Sequence, residues 1–333
     1  MNHPRLRRRV DRRGRRATVA GLALLLALMS TITTVNLLPR TADVAVGGQL
    51  AMSVGSDAPA SDQGVPAETP PSNPSPPPAF VVAVGPQLSV PILYYHYVRT
   101  IAPTPQNLLG FNLSISPGLF AQQMALLHVE GAHTITLATL MQALAGKVVL
   151  PPHPVVLTFD DGYADFATAA EPVMARFGFV ATDFVVSGFL GKRSYMTAAQ
   201  VLQMEADGMV IGSHTVHHVD LARVSPADAQ LEIDAGKAAL ERLLHHPVLD
   251  FAYPYGGFSP AVVALVQQAG FRDAVATMWG DAQALNGPYL LHRIEIGGAP
   301  SLVTFAHDAG LPLPTPWQAT LIASLATPSP RNA

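Results

Sequence analysis

Short apolar runs alternate with amphipathic stretches over most of residues 87–325. The runs are rich in β-branched and aromatic residues, which is typical of buried strands, and the stretches between them have the apolar spacing of helices. Eight runs predict strands: VPILYYHYV, AHTITL, PVVLTF, ATDFVVSG, GMVIGSH, VLDFAYP, RDAVATMW and YLLHRIEI. The alternation predicts an α/β domain whose mostly parallel sheet closes into a barrel or a distorted barrel, with its functional site at the carboxyl ends of the strands.

The amphipathic stretches carry the end signals of helices. Several begin at a Ser or Thr placed as an N-cap, and three end at Gly178, Gly208 and Gly270. The clearest predicted helices are SPGLFAQQMALLHVEG, ADFATAAEPVMARFG, TAAQVLQMEADG, SPADAQLEIDAGKAALERLLHH and SPAVVALVQQAG.

A basic segment and an apolar segment precede this region. Residues 1–16 contain eight arginines, and the 22 residues 17–38 are almost uniformly apolar. Basic residues ahead of an apolar segment indicate a membrane segment with residues 1–16 in the cytoplasm, and 22 residues are enough to span a bilayer. Cleavage after Ala42 or Ala45 would need Arg40 or Asp43 where signal peptides carry a small residue. We therefore predict a transmembrane signal anchor with the catalytic domain outside the cytoplasm; secretion after signal cleavage is the alternative.

Composition separates the remaining segments. Residues 39–86 are rich in Pro, Ser and Ala and poor in aromatic residues, which predicts a disordered linker that holds the domain away from the membrane. Residues 87–325 form the predicted catalytic domain, and residues 326–333 form a predicted disordered tail.

Charge and cysteine content exclude several function classes. The net charge of the whole chain is −3, but the arginine-rich start leaves residues 17–333 with a net charge of −10. Because the basic run stops where the apolar segment begins, it does not indicate nucleic-acid binding. The chain has no cysteine, so any metal must be bound by histidine and carboxylate side chains.

Two strand ends carry residues with metal and acid-base chemistry. The run PVVLTF leads directly into Asp160 and Asp161, and GMVIGSH leads into His214 and His218. The histidines lie four residues apart, so a helical turn would let both imidazoles face one metal ion. Together with one aspartate they make a two-histidine, one-carboxylate site, although an aspartate pair that caps a helix and two surface histidines are the structural alternative.

Three motifs at successive strand ends resemble a known family. TFDDGY, SHTVHH and FAYPYG, at residues 158–163, 213–218 and 251–256, resemble the motifs of the polysaccharide deacetylases, carbohydrate esterase family 4, also called the NodB-homology domain. The resemblance implies a distorted (β/α) barrel of the polysaccharide deacetylase type. It further implies that Asp160 is the catalytic base and that a divalent metal, most often Zn²⁺, is bound by Asp161, His214 and His218. Co²⁺, Ni²⁺ or Fe²⁺ would suit the same ligands.

The proton donor for the leaving amine has two candidates. His96 ends an early strand in YYHYV and resembles the general acid of the exported poly-N-acetylglucosamine deacetylase branch. His292, in YLLHRI, resembles the general acid of the other branch. The sequence favours His96 and leaves His292 as the alternative.

The third motif departs from the family pattern. The commoner pattern has an arginine two residues before Pro254 that orients the catalytic aspartate, but this chain has Ala252 there. Arg293, on a later strand, is the candidate substitute. The candidate substrate-binding residues are Pro254, Tyr255, Tyr163 and Trp279.

These observations predict a metal-dependent hydrolase that removes acetyl groups from an N-acetylated, N-acetylglucosamine-containing polysaccharide outside the cell or in the cell wall. The alternatives are an O-acetyl or peptidoglycan esterase and an inactive carbohydrate-binding relative. A magnesium-dependent phosphatase is disfavoured, because its paired carboxylates are usually separated by one residue and it has no use for the two histidines.

Overall fold

A computed structural model describes residues 87–327 of the 333-residue chain. The predicted cytoplasmic segment, membrane anchor and linker, and residues 328–333 of the predicted tail, lie outside the described residues. Ala326, the first residue of the predicted tail, is instead the last residue of a helix. No helix among residues 87–327 combines the length and the hydropathy that a bilayer-spanning segment needs.

The described residues contain short strands that follow the predicted runs. In chain order they are β1 (Gln87–Ser89), β2 (Ile92–Tyr95), β3 (Tyr97–Val98), β4 (Ser114–Ile115), β5 (His133–Thr134), β6 (Pro154–Asp161), β7 (Thr182–Val185), β8 (Val210–Ser213), β9 (Asp250–Ala252), β10 (Asp273–Trp279), β11 (Ala282–Ala284) and β12 (Leu291–Glu295). All eight predicted runs therefore contain a strand, which is shorter than the run in every case except β6, where the strand continues through Asp160 and Asp161.

Seven of these strands close a parallel barrel. Their order around the ring is β2, β12, β10, β9, β8, β7 and β6, and β6 pairs back with β2. The eighth predicted strand, β5, is not a barrel strand: it pairs only with Pro154 and Val155 at the start of β6. The prediction of a parallel α/β barrel is thus confirmed, and seven strands close it instead of eight.

The helices of the described residues pack around this barrel, and four of them begin at predicted N-caps. They are α1 (Leu108–Asn112), α2 (Pro117–Val129), α3 (Leu137–Leu144), α4 (Glu171–Ala175), α5 (Ala198–Ala206), α6 (Pro226–Leu244), α7 (Pro260–Gln268), α8 (Leu302–Asp308) and α9 (Pro316–Ala326). The four N-caps of α2, α5, α6 and α7 each accept a backbone N–H with the side-chain oxygen: Ser116, Thr197, Ser225 and Ser259. The remaining predicted helix, ADFATAAEPVMARFG, is split into two parts. A π-helical turn at Phe166–Ala170 precedes α4, whose first turn contains Pro172.

Alternation along the strands separates two apolar layers. On β6, Val156 belongs to a cluster with Phe184, Val275 and Leu291 from other barrel strands. Val155, Leu157 and Phe159 instead pack in the larger cluster that includes the helices, as expected for successive residues of a strand. Asp160 pairs in register with Phe184 and so follows Val156 and Thr158 on the inner face. The barrel interior is filled with apolar side chains below the level of Asp160, which leaves polar chemistry to the carboxyl ends of the strands.

Candidate active site

Asp161, His214 and His218 converge at the carboxyl ends of β6 and β8. Asp161 Oδ1 lies 3.6 Å from His214 Nε2 and 3.1 Å from His218 Nε2. One ligand atom from each of the three residues lies within 4.8 Å of the other two. The structure therefore brings together the three side chains that the sequence proposed as metal ligands.

A backbone turn separates the two neighbouring aspartates. Asp161 has a φ of 78° and Gly162 a φ of 73°, so the chain leaves the strand in the left-handed region. Such a conformation costs a residue with a side chain about 1–2 kcal/mol. A Cβ atom on Gly162 would lie 3.3 Å from Val185 Cα on the neighbouring strand, so glycine permits the close approach.

The histidine-bearing segment after β8 is an irregular turn, not the helical turn that the spacing suggested. Thr215 and His218 have positive φ values of 66° and 55°. The Thr215 Oγ1 accepts the His218 backbone N–H at 3.0 Å. Glu232 on α6 accepts the backbone N–H groups of Val216 and His217 at 3.0 and 2.8 Å. These bonds hold His218 against Asp161 without a helix.

His214 is held as a neutral imidazole with one nitrogen free. Its Nδ1 lies 2.8 Å from the Ala252 carbonyl oxygen, so the proton belongs on Nδ1 and is donated to that carbonyl. Burial lowers the pKa of His214 to about 4, in spite of the nearby aspartates. The unprotonated Nε2 therefore faces Asp161 at neutral pH, as a metal-ligating histidine requires.

The three side chains fit a divalent cation. Asp161 is buried, and its Oδ1 has no hydrogen-bond donor within the described part of the chain. A buried carboxylate oxygen without a donor is costly unless a cation binds it. Two imidazole nitrogens and one carboxylate oxygen are ligands that Zn²⁺ and similar transition metals accept, with a position left for water or substrate.

Arg293 fixes the other aspartate. Its Nη1 and Nη2 donate to Asp160 Oδ1 and Oδ2, both at 2.8 Å, and its Nε donates to the Ala276 carbonyl at 2.9 Å. Burial alone would raise the pKa of Asp160, but the Arg293 guanidinium outweighs it and lowers the pKa to about 2. The bidentate pair keeps Asp160 ionised and sets the plane of its carboxylate.

An open cavity of about 510 Å³ leads to these residues. Tyr163 lines it, and so does Tyr255, whose ring lies 4.5 Å from the His218 ring and whose side chain is 68% exposed. Two other candidate substrate residues do not line the cavity: Pro254 is buried at the start of the turn that presents Tyr255, and Trp279 is 70% exposed elsewhere. Further lining residues include Tyr94, Leu109, Tyr195, Tyr253, Thr277 and Glu295.

The two candidate proton donors lie in different places. His96 lines the same cavity as the aspartates, and its Nδ1 has no hydrogen-bond partner within residues 87–327. His292 lines a second cavity of about 490 Å³. Its backbone N–H and carbonyl are both bonded to the Gln283 side chain, at 3.1 and 3.0 Å. The structure thus brings His96, and not His292, to the aspartate pair.

Comparison with known proteins agrees with this geometry. Residues 147–274 match the sequence model of the family described as polysaccharide deacetylase. YxkH of Bacillus subtilis, whose name assigns it provisionally to that family, is 28% identical over 207 residues, which cover 62% of this chain and 71% of YxkH. The Streptococcus pyogenes deacetylase PplD, solved in complex with acetate, superposes with a TM-score of 0.59 at 29% identity, covering 64% of this chain and 94% of PplD. Residues 147–274 belong to the polysaccharide deacetylase family.

Another relative of this polysaccharide deacetylase has a name that states its substrate: the poly-β-1,6-N-acetyl-D-glucosamine N-deacetylase of Staphylococcus aureus (strain MSSA476). It is 22% identical over 202 residues, which cover 54% of this chain and 69% of that protein. Polysaccharide deacetylases are hydrolases, and the acetate complex of PplD is consistent with release of that product.

Some residues that support or line the site of this deacetylase were not among the sequence predictions. Glu232 contacts the histidine segment from α6, and no local signal in the helix could indicate that contact. Glu295 could have been found, because it lies two residues after Arg293 on β12 and so shares its face.

Asp183 on β7 was also missed, and it is an unusual buried acid. Its side chain is fully buried, and neither carboxyl oxygen has a side-chain donor or a cation beside it among the described residues. Burial, reinforced by the charges of Asp160 and Asp161, raises the pKa of Asp183 well above its usual range. The folded protein therefore keeps Asp183 protonated at pH values where the unfolded chain releases that proton.

The Asp183→Asn variant should be more stable than the wild type at neutral pH. Asparagine has the shape of a protonated aspartate, so the two proteins should have similar stability at about pH 4, near the unfolded pKa. Above that pH the unfolded wild type ionises while the folded protein does not, so wild-type stability falls by about 1.4 kcal/mol per pH unit until the raised pKa is reached. Urea unfolding across this pH range measures the difference; a gap that does not change with pH would mean that Asp183 is ionised in the fold.

Proposed function

We propose that the protein is a metal-dependent N-deacetylase of an N-acetylglucosamine-containing polysaccharide, from which it releases acetate. The single observation that supports this best is the convergence of Asp161, His214 and His218 beside an ionised Asp160 at the end of an open cavity. Hydrolysis of an acetamide needs an activated water, an electrophilic carbonyl and a proton donor for the nitrogen. Asp160 and a metal held by the other three residues would activate the water and polarise the carbonyl.

The side chains have distinct proposed roles. Asp161, His214 and His218 would hold a divalent metal, Zn²⁺ being our first choice, and when bound the metal would polarise the acetyl carbonyl and make water more acidic. Asp160 accepts the proton of the attacking water through the lone pairs that Arg293 does not occupy. Arg293 is a positioning residue, since it contacts Asp160 and leaves the cavity to the substrate.

Departure of the amine completes the reaction. As water adds to the acetyl carbon, the bond from that carbon to nitrogen must break, and the nitrogen must gain a proton. His96 lies in the cavity wall and is the proposed donor. The products are acetate and a glucosamine unit, and a backbone N–H near Tyr255 is the proposed stabiliser of the oxyanion.

The lining of the cavity supports a glycan substrate. Tyr163, Tyr195 and Tyr255 line it, and aromatic side chains suit the apolar face of a sugar ring. The similarity to the poly-β-1,6-N-acetyl-D-glucosamine N-deacetylase of Staphylococcus aureus supports an exported polymer of N-acetylglucosamine as the first candidate. We propose that residues 1–38 keep the domain on the outer side of the membrane, where such a polymer would meet it.

An acetate-release screen tests the proposed function. The metal-loaded protein is assayed against poly-N-acetylglucosamine, peptidoglycan, chitin oligomers and O-acetylated glycans, with a chelator-treated sample as control. We expect acetate from an N-acetylglucosamine polymer and a loss of that activity after chelation. Acetate from O-acetylated glycans alone would overturn the assignment as an N-deacetylase.

His96→Ala and His292→Ala should differ in their effect on turnover. Because His96 lines the cavity and His292 does not, loss of His96 should lower kcat about 10²- to 10⁴-fold, whereas loss of His292 should lower it less than about tenfold. Steady-state acetate release on the same substrate measures both. A larger fall for His292→Ala would transfer the proton-donor role to His292.

A further inference from the structure

Glu295 is a carboxylate of the cavity wall that has no role in the proposed mechanism. It is the last residue of β12, and its side chain is exposed to the cavity that contains Asp160 and Asp161. The catalytic residues of barrel enzymes lie at the carboxyl ends of the strands, so a third acidic side chain at such an end is a candidate for substrate binding.

The barrel fixes where Glu295 lies. It pairs in register with Tyr94 of β2, and it shares the face of β12 with Arg293, whose guanidinium carbon lies 4.2 Å from the centre of the Tyr94 ring. The Tyr94 hydroxyl donates a hydrogen bond to the Glu295 carboxylate. Glu295 therefore lies two residues farther toward the carboxyl end of β12 than Arg293, and it is exposed where Arg293 is buried.

The charges of the three carboxylates are balanced differently. Asp160 is matched by Arg293, and Asp161 lies between two histidines in the candidate metal site. Glu295 has no such partner, since none of the ion pairs formed within residues 87–327 includes it. An anion at the cavity wall without a cation of its own favours a ligand that brings a positive charge.

We infer that Glu295 binds the protonated amine of a glucosamine unit and so gives the site a preference for partly deacetylated chains. This inference rests on the proposed function, because deacetylation turns a neutral acetamide into an amine that takes up a proton. An ammonium group donates three charge-assisted hydrogen bonds, whereas an acetamide nitrogen donates one neutral bond. Tyr195 and Tyr255 line the same cavity, and aromatic rings attract a cation.

Binding measurements on the full chain test the inference without relying on turnover. The wild type, Glu295→Gln and the control Glu171→Gln are titrated with a glucosamine tetramer and with its fully N-acetylated counterpart at about pH 6, where an amine of this kind is protonated. Glu171 lies on α4 and does not line the cavity, so its variant removes the same charge elsewhere.

We expect Glu295→Gln to weaken binding of the glucosamine tetramer about five- to tenfold and to leave the acetylated tetramer within about twofold. The effect should shrink when salt is raised, because exposed charges are screened. Glu171→Gln should change neither affinity. Equal weakening of both tetramers by Glu295→Gln, or no weakening of either, would overturn the inference.

Two arms separate the possible sources of the amine. Weaker binding of glucosamine monosaccharide by Glu295→Gln would assign the contact to the sugar that has just reacted. An effect restricted to the tetramer would assign it to a neighbouring unit of the chain. Acetate release by the wild type is measured separately. If the wild type releases acetate and Glu295→Gln binds both tetramers as the wild type does, only the role of Glu295 is refuted. If the wild type releases no acetate, the proposed function is refuted.

Discussion

The Asp160→Asn variant should lose acetate release about 10²- to 10⁴-fold while it keeps its metal content. Asparagine retains the shape of the side chain but cannot accept the proton of the attacking water. The metal should stay, because Asp161, His214 and His218 are unchanged. Acetate release and elemental analysis of the same preparation measure the two quantities. Activity within about tenfold of the wild type would remove Asp160 from the role of base.

Loss of stability has to be separated from loss of chemistry in this variant. Asparagine carries no negative charge and can accept only one of the two Arg293 hydrogen bonds, so the buried guanidinium loses its counter-charge, which costs about 3–5 kcal/mol. Asp250→Asn is a matched control, since Asp250 is also buried and bonded to an arginine, Arg272, at the opposite, amino ends of the strands. The control should lose stability without a comparable loss of kcat. Similar losses of kcat in both variants would point to unfolding as the cause.

His214→Ala should lose metal and activity together. Removal of a residue that merely supports a metal ligand typically costs 10- to 100-fold in metal affinity, so loss of a ligand should cost at least about 100-fold. Acetate release should fall to background after dialysis against metal-free buffer, and micromolar metal should not restore it. Metal content by elemental analysis, plotted against activity, measures the link.

His307→Ala provides the control for this experiment. His307 is exposed on α8 and belongs to no candidate metal group of the described residues, so its variant should keep both metal and turnover. A His214→Ala protein with wild-type metal content would show that the metal lies elsewhere. A protein with metal but no acetate release would instead assign His214 a role in the chemistry itself.

Local sequence signals predicted the helices and strands of this fold well, but they predicted less well which strands form the closed barrel. Ser116, Thr197, Ser225 and Ser259 cap helices as their sequence positions indicated, because capping depends on neighbours three residues away. The run AHTITL has the composition of a strand, but only His133–Thr134 pairs, and it pairs outside the ring. Which strands close a barrel depends on long-range pairing, and composition does not record it.

The site shows the same division between local and long-range information. The spacing of His214 and His218 indicated a shared ligand but not the irregular turn, because that turn depends on Thr215 and on Glu232 from a distant helix. Two histidines, His96 and His292, had motif support and the sequence favoured His96, while the barrel geometry places His96 in the cavity of the aspartates and His292 in another cavity. Arg293 was a candidate from its strand position, while its two bonds to Asp160 join residues far apart in the chain.

The arrangement of the proposed ligands has a consequence for folding. Asp161 is the last residue of β6, whereas His214 and His218 follow β8, so one bound cation would bridge two segments with β7 and α5 between them. Such a bridge acts like a reversible cross-link that closes a long loop, and by mass action it favours the native state over the unfolded chain. The melting temperature should therefore rise with the concentration of free metal, and metal supply would set the lifetime of the protein as well as its turnover.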